Sequence, residues 1–190
     1  MSITVAILAG GKSSRMGTDK AWVTLGGHPL IHHLLFAVQK AGFSDIFLVA
    51  NQLEKYTDLA LPIYIDNFRE CGALGGIESA LAHSNTEWTL AVACDMPLLR
   101  PDILQSLAAL AHDQVDVILP MSGEMTQPLC AFYHQRCLDV VRAQLRDGQY
   151  RVRDFLAKLR LKVVKVDDEW CFFNVNTPQA LAEAEAHLSQ

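Results

Sequence analysis

The stretch Ile3-Thr4-Val5-Ala6-Ile7-Leu8-Ala9-Gly10-Gly11-Lys12-Ser13-Ser14-Arg15-Met16-Gly17-Thr18-Asp19-Lys20 changes character halfway along. Residues 3–9 form a continuous apolar run, the pattern of a strand covered on both faces in a parallel sheet. Residues 10–20 are rich in glycine and basic side chains. In open α/β sheets ligands collect outside the carboxyl ends of the strands, so this second half is where a ligand is expected. Gly10 and Gly11 have no Cβ and let backbone N–H groups approach an anion, while Lys12, Arg15 and Lys20 bring three cations to one place. The stretch reads as a phosphate cradle; its plainer alternative is a glycine-rich turn with solvated charges. Two common phosphate loops are excluded by spacing. A P-loop ending at Gly11-Lys12-Ser13 would need glycine at position 6, which is Ala6, and no G-x-G-x-x-G is present.

Outward from this stretch, short apolar runs alternate with segments of helical period. Strands are expected at 46–50, 63–65, 89–93, 115–119, 129–133, 162–166 and 172–175. Helices are expected at 29–41, where Ile31, Leu34, Leu35 and Val38 form a stripe ended by Gly42, and at 75–82, 101–111, 136–146, 152–159 and 178–188. The β-α-β-α order predicts a three-layer α/β/α fold with a mostly parallel sheet. The 190 residues are expected to form one domain, 1–190.

Composition narrows the function classes. At 51% hydrophobic and 19% charged, the chain is neither disordered nor fibrous. Its formal charge of −5 speaks against a nucleic-acid partner, so an anionic ligand must be met by a local cluster. Cys71, Cys94, Cys130, Cys137 and Cys171 are scattered, odd in number and never in C-x-x-C spacing, which argues for a reducing compartment without disulfides or a zinc ribbon. No apolar run nears the ~20 residues of a membrane span and no basic leader precedes residues 3–9. A cytoplasmic protein with no membrane partner is expected.

Three further places carry chemistry. Asp95, in Cys94-Asp95-Met96-Pro97, follows a strand and suits Mg²⁺, which takes one or two carboxylates with phosphate oxygens and water; it could equally cap the next helix. Asp66 follows a shorter strand and either accepts hydrogen bonds from a nucleoside or simply makes a turn with Asn67. Asn174 and Asn176 fall on one side of an extended segment and could meet a polar ligand, unless Asn176 or Thr177 caps the last helix. His32 and His33 lie on a helix without metal-ligand spacing, Ser13 and Ser122 lack a nucleophile motif, and Trp22, Trp88 and Trp170 read as packing.

These residues carry a resemblance. Leu8 to Lys20 is similar to the L-A-G-G-x-S-x-R-M-G-x-D-K signature of the nucleotidyltransferase superfamily, and within it to the molybdenum cofactor guanylyltransferases of the MobA type. Gly72-Ala73-Leu74-Gly75-Gly76 resembles that family's G-P-L-x-G loop, and Cys94 to Pro97 and Asn174 to Pro178 continue the match in order. The resemblance implies a Rossmann-like nucleotidyltransferase fold and transfer of GMP from GTP to molybdopterin or molybdenum-molybdopterin, with release of pyrophosphate. It implies that Leu8, Ala9, Gly10 and Gly11 line the nucleotide, that Arg15 and Lys20 meet its phosphates, that Asp66 meets the nucleoside, and that Asp95 serves both nucleotide and Mg²⁺. Asn174 and Asn176 would lie on the molybdopterin side. Further cofactor-biosynthesis proteins and apo-molybdoenzymes are the implied partners. Two departures stand out: the chain reads Val49-Ala50-Asn51, so Asn51 reaches the nucleotide from a shifted position or not at all, and Ala73 replaces the loop proline. The alternatives are a relative using CTP or a sugar or polyol phosphate acceptor, and a non-catalytic nucleotide-binding protein that delivers cofactor.

Overall fold

The computed structural model describes residues 2–9 and 19–189. Gly10, Gly11, Lys12 and Arg15 of the expected cradle lie outside the described residues. In chain order the elements are β1 (Ile3–Leu8), β2 (Thr24–Leu25), β3 (His28–Pro29), α1 (Leu30–Lys40), β4 (Ile46–Val49), β5 (Ile63–Tyr64), α2 (Gly72–His83), β6 (Trp88–Ala93), α3 (Pro101–Ala108), β7 (Val117–Ser122), β8 (Met125–Thr126), β9 (Cys130–His134), α4 (Cys137–Arg146), α5 (Val152–Leu156), β10 (Leu161–Lys165) and α6 (Pro178–Leu188). Short 3₁₀ turns occupy Lys20–Trp22, Leu53–Lys55, Thr57–Leu59 and Trp170–Phe172.

The main sheet runs in the order β10-β7-β9-β6-β1-β4-β5, with β8 on β7, and β2 pairs only with β3. Strands β6, β1, β4 and β5 are mutually parallel, so their carboxyl ends share one edge. Strand β9 enters antiparallel between β6 and β7.

Alternation along the strands builds two cores. Val5 and Ile7 of β1, Ile46 and Leu48 of β4 and Leu90 and Val92 of β6 point to one face, where Ile31, Leu34 and Val38 of α1 and Leu104 and Leu107 of α3 cover them. Ala6, Phe47 and Ala91 point to the other, under Leu74, Ile77 and Leu81 of α2, Val141 and Leu145 of α4, and Phe155 of α5. That is the expected three-layer α/β/α fold. With every strand residue of β4 buried, neither face of the strand could be polar, which is why the run reads as unbroken in the sequence. A third, smaller cluster of Leu25, Leu30, Val175 and Ala184 fastens α6 and the β2–β3 hairpin together; each large side chain in it contributes about 2 kcal/mol.

Two expectations need correction. Residues 172–175 are not a strand: a 3₁₀ turn ends at Phe172, and the chain then runs extended without joining the sheet. Their apolar side chains are buried instead by the clusters around Cys171 and Val175. Helix α2 starts three residues before the expected Gly75, so the Gly72–Gly76 segment is its first turn rather than a loop.

Candidate nucleotide-binding site

Hydrogen bonds lock the strand ends at the shared edge into register. Ala9 N–H donates to the Val49 carbonyl (2.9 Å), Ala50 N–H to the Tyr64 carbonyl (2.9 Å), and Cys94 N–H to the Leu8 carbonyl (3.2 Å). Above them opens a cleft of about 600 Å³. Leu8, Ala9 and Ala93 form its floor, Ala50 and Asn51 one wall, and Asp66, Arg69 and the start of α2 another. Lys20 and Asp95 face into it as well.

Asp95 sits on the turn that follows the central strand β6. The N-cap of α3 is Arg100, so Asp95 does not cap that helix. One of its carboxylate oxygens, Oδ2, lies 3.7 Å from Lys20 Nζ, while Oδ1 is buried and has no hydrogen-bond partner among the described residues. Burial pushes its pKa above the ordinary value, and Lys20 draws it back down. A buried, half-satisfied carboxylate is costly unless a ligand completes it, and a hard cation sharing phosphate oxygens fits that oxygen. Among the described residues no cluster of three or more His, Cys, Asp or Glu gathers, so a cation here would depend on the substrate for much of its coordination. Beside it, burial pushes the Cys94 thiol up to about 12, leaving it a neutral packing group.

Lys20 is held by a second partner: Nζ donates to Asn176 Oδ1. Asn176 comes from the last quarter of the chain, where Val175 N–H donates to the Asp95 carbonyl (2.9 Å) and ties that segment to the same turn. Asn174 behaves differently, since its Nδ2 donates to the Phe172 carbonyl (3.0 Å) and closes a local turn. Thr177, whose side chain accepts from Ala180 N–H, is the cap of α6. Asn176 is therefore released from capping and Asn174 is spent on the backbone.

Asp66 makes a turn and faces the cleft. Oδ1 accepts from Phe68 N–H (3.1 Å) and from Ser79 Oγ (3.1 Å), which makes the turn, while the residue lines the cleft. Burial holds its carboxyl above the usual range despite these donors, and the neighbouring Glu78 charge adds to the rise. Glu78 is itself fully buried, accepting from Arg142 Nε (2.8 Å) and Asn67 Nδ2 (3.1 Å). This network behind Asp66, with Arg69 beside it, carries no motif; it shows only once α2 and α4 are packed together.

The glycines of α2 explain how the helix comes so near. A Cβ on Gly75 would sit 2.6 Å from the Phe68 carbonyl oxygen and 3.2 Å from Asp66 Oδ1, and one on Gly76 would press on Leu8 at 3.2 Å. Alanine favours helix over glycine by about 1 kcal/mol, so Gly75→Ala should keep the protein folded while displacing the turn that carries Asp66. The expected result is a KM for the nucleotide about tenfold higher, on the scale of one lost hydrogen bond to a charged group. An unchanged KM in steady-state kinetics would mean that Asp66 is not held by this approach.

A cleft at the carboxyl ends of parallel strands, floored by small apolar side chains and presenting a lysine against a half-satisfied carboxylate, suits a phosphate-bearing ligand. Comparison with known proteins shows the family. Residues 5–163 match the MobA-like NTP transferase domain. A probable molybdenum cofactor guanylyltransferase of Carboxydothermus hydrogenoformans is 37% identical, the match covering 93% of this chain and 92% of that protein. A molybdenum cofactor guanylyltransferase of Vibrio cholerae is 33% identical, covering 93% and 88%. The crystal structure of molybdopterin-guanine dinucleotide biosynthesis protein A from Archaeoglobus fulgidus superimposes with a TM-score of 0.80 over 98% of each chain at 27% identity. The chain belongs to the MobA-like NTP transferase family. Among the described residues no helix is long and apolar enough to cross a membrane.

Proposed function

We propose that the protein transfers GMP from GTP to molybdopterin or molybdenum-molybdopterin and releases pyrophosphate. The observation that carries this reading is the approach of Lys20 to Asp95 within 3.7 Å in the cleft, in a chain whose relatives bear the name guanylyltransferase. A terminal phosphate oxygen of the acceptor attacks the α-phosphorus of GTP in line. One P–O bond forms, the bond from the α-phosphorus to the bridging oxygen breaks, and the electron pair leaves with pyrophosphate. The attacking oxygen is already anionic near neutral pH, so no general base is required.

The difficulty is charge. Two unit charges ~4 Å apart at an effective dielectric of ~20 repel by ~4 kcal/mol. Lys20 answers it by neutralising the triphosphate and the departing pyrophosphate, with Arg15 assigned to the same task from the sequence. Asp95 would hold Mg²⁺, which when bound supplies Lewis-acid stabilisation at the phosphate oxygens. Leu8 and Ala9 would pack against the nucleotide, Asp66 and Asn51 would contact the nucleoside, and Asn176 would orient Lys20 toward the side where molybdopterin enters. A reducing cytoplasm is the compartment that fits five free cysteines.

The test is pyrophosphate release with Mg²⁺ and molybdopterin, run in parallel with GTP, CTP, ATP and UTP. GTP alone should support turnover. Equal rates with CTP would overturn the guanine assignment, and nucleotide binding without any pyrophosphate would instead favour a cofactor-delivery protein.

A further inference from the structure

Tyr56 comes from the stretch between β4 and β5, where its neighbours in sequence are polar and exposed, yet it is only 1% exposed itself. Its ring lies nearly parallel to Trp22, with centroids 6.0 Å apart. The hydroxyl reaches two acceptors at once: the Ala9 carbonyl at 3.1 Å and Asp19 Oδ2 at 2.8 Å. Ala9 follows β1, Asp19 lies ten positions further along the chain, and both line the cleft. The other oxygen of Asp19, Oδ1, accepts from Ala21 N–H (3.2 Å) and so caps the 3₁₀ turn Lys20–Trp22.

We propose that Tyr56 is a positioning residue for Lys20, acting through Asp19 to set where the ammonium stands relative to the floor at Leu8 and Ala9. The inference rests on the reading of the cleft as a triphosphate site. A carbonyl and a carboxylate repel each other, and a single shared proton holds them together; without it nothing ties Asp19 to the Ala9 carbonyl, and Asp19 can shift together with the turn it caps and with Lys20. Burial and the Asp19 carboxylate raise the phenol pKa above its ordinary value, so the proton stays in place. Lys55 Nζ, 3.7 Å from Asp19 Oδ2, lies on the exposed side and tempers the carboxylate charge without joining it to Ala9. Trp22 stacks on the ring rather than on the hydroxyl, so removing the oxygen leaves the packing intact.

Tyr56→Phe deletes that oxygen alone. Affinities for GTP with Mg²⁺ and for guanosine, measured by calorimetry or competition, separate the possibilities. GTP should bind about tenfold more weakly, the scale of one charge-assisted hydrogen bond, while guanosine, which has no phosphates for Lys20 to meet, should bind as before. In a Lys20→Ala background the same change should cost nothing more, because coupled residues are not additive. Asp19→Asn, which keeps the cap but loses a charged acceptor, should reproduce the pattern and serves if Tyr56→Phe fails to fold. Equal losses for GTP and guanosine, full additivity with Lys20→Ala, or an unchanged GTP affinity would each overturn the proposal. A folded wild-type protein that binds no GTP would remove the nucleotide reading itself, a result distinct from these.

Discussion

Asp95→Asn should reduce pyrophosphate release by about a thousandfold while leaving the protein at least as stable as before. The loss follows from charge: the amide keeps the shape but, without the negative charge, holds a hard cation far more weakly, and stabilisation worth about 4 kcal/mol at about 1.4 kcal/mol per decade gives that factor. The retained stability follows from burial. The folded-state pKa of Asp95 lies above its ordinary 3.8, with burial the main cause, so the folded protein binds this proton more tightly than the unfolded chain does. Stability therefore falls as the pH rises from 3.8 through the folded-state value, and the ionised side chain opposes folding at neutral pH. Thermal midpoints of the two proteins, compared across rising pH, should diverge in favour of the variant through that window. Near-normal turnover would reject the metal-holding role, and a large drop in midpoint at pH 7 would show that Asp95 supports the fold rather than the reaction.

The second large effect belongs to Lys20. Lys20→Ala removes the cation nearest Asp95 among the described residues, and the ~4 kcal/mol repulsion between approaching anions returns in part. We expect kcat/KM to fall about a hundredfold or more, shared between a raised KM for GTP and a lowered kcat, since in the proposed reaction the ammonium serves bound triphosphate and departing pyrophosphate alike. Asp95 loses the charge that draws its pKa down, so the acid limb of the rate profile should move to higher pH. Lys20→Arg should restore part of the rate but not the fit, because a planar fork replaces a point charge between Asn176 and Asp95. Wild-type rates for Lys20→Ala would pass the role to Lys12 or Arg15.

What could be read in the sequence was whatever depends on chain-local pattern. Strands β1, β4 and β6 are covered on both faces and therefore appear as largely apolar runs, with Thr4 and Thr89 buried among them, and the rule that ligands gather after parallel strands then singles out Asp66 and Asp95. Both lie at the cleft. The start of α2 is hidden because Gly72, at φ +63°, is a poor helix former, and Ala73 and Leu74 by themselves show no helical period. Residues 172–175 mislead in the opposite sense: Phe172 is buried in the core under the sheet, and Phe173 and Val175 pack with α6 and the β2–β3 hairpin, without pairing to a strand. Tyr56 escaped altogether, since one aromatic in a polar stretch has no periodicity and acquires meaning only when Ala9 and Asp19 meet at its hydroxyl.

The tie between Val175 and Asp95, and the contact from Asn176 to Lys20, bear on how the enzyme comes into being on the ribosome. Strands β1, β4, β5 and β6 all lie before residue 94 and can pair before the later segments are made. The lysine gains its asparagine anchor only after residue 176 has left the exit tunnel. A chain stopped at residue 163, where the family match ends, would carry β1, β4, β5 and β6 yet lack this late-arriving brace on Lys20.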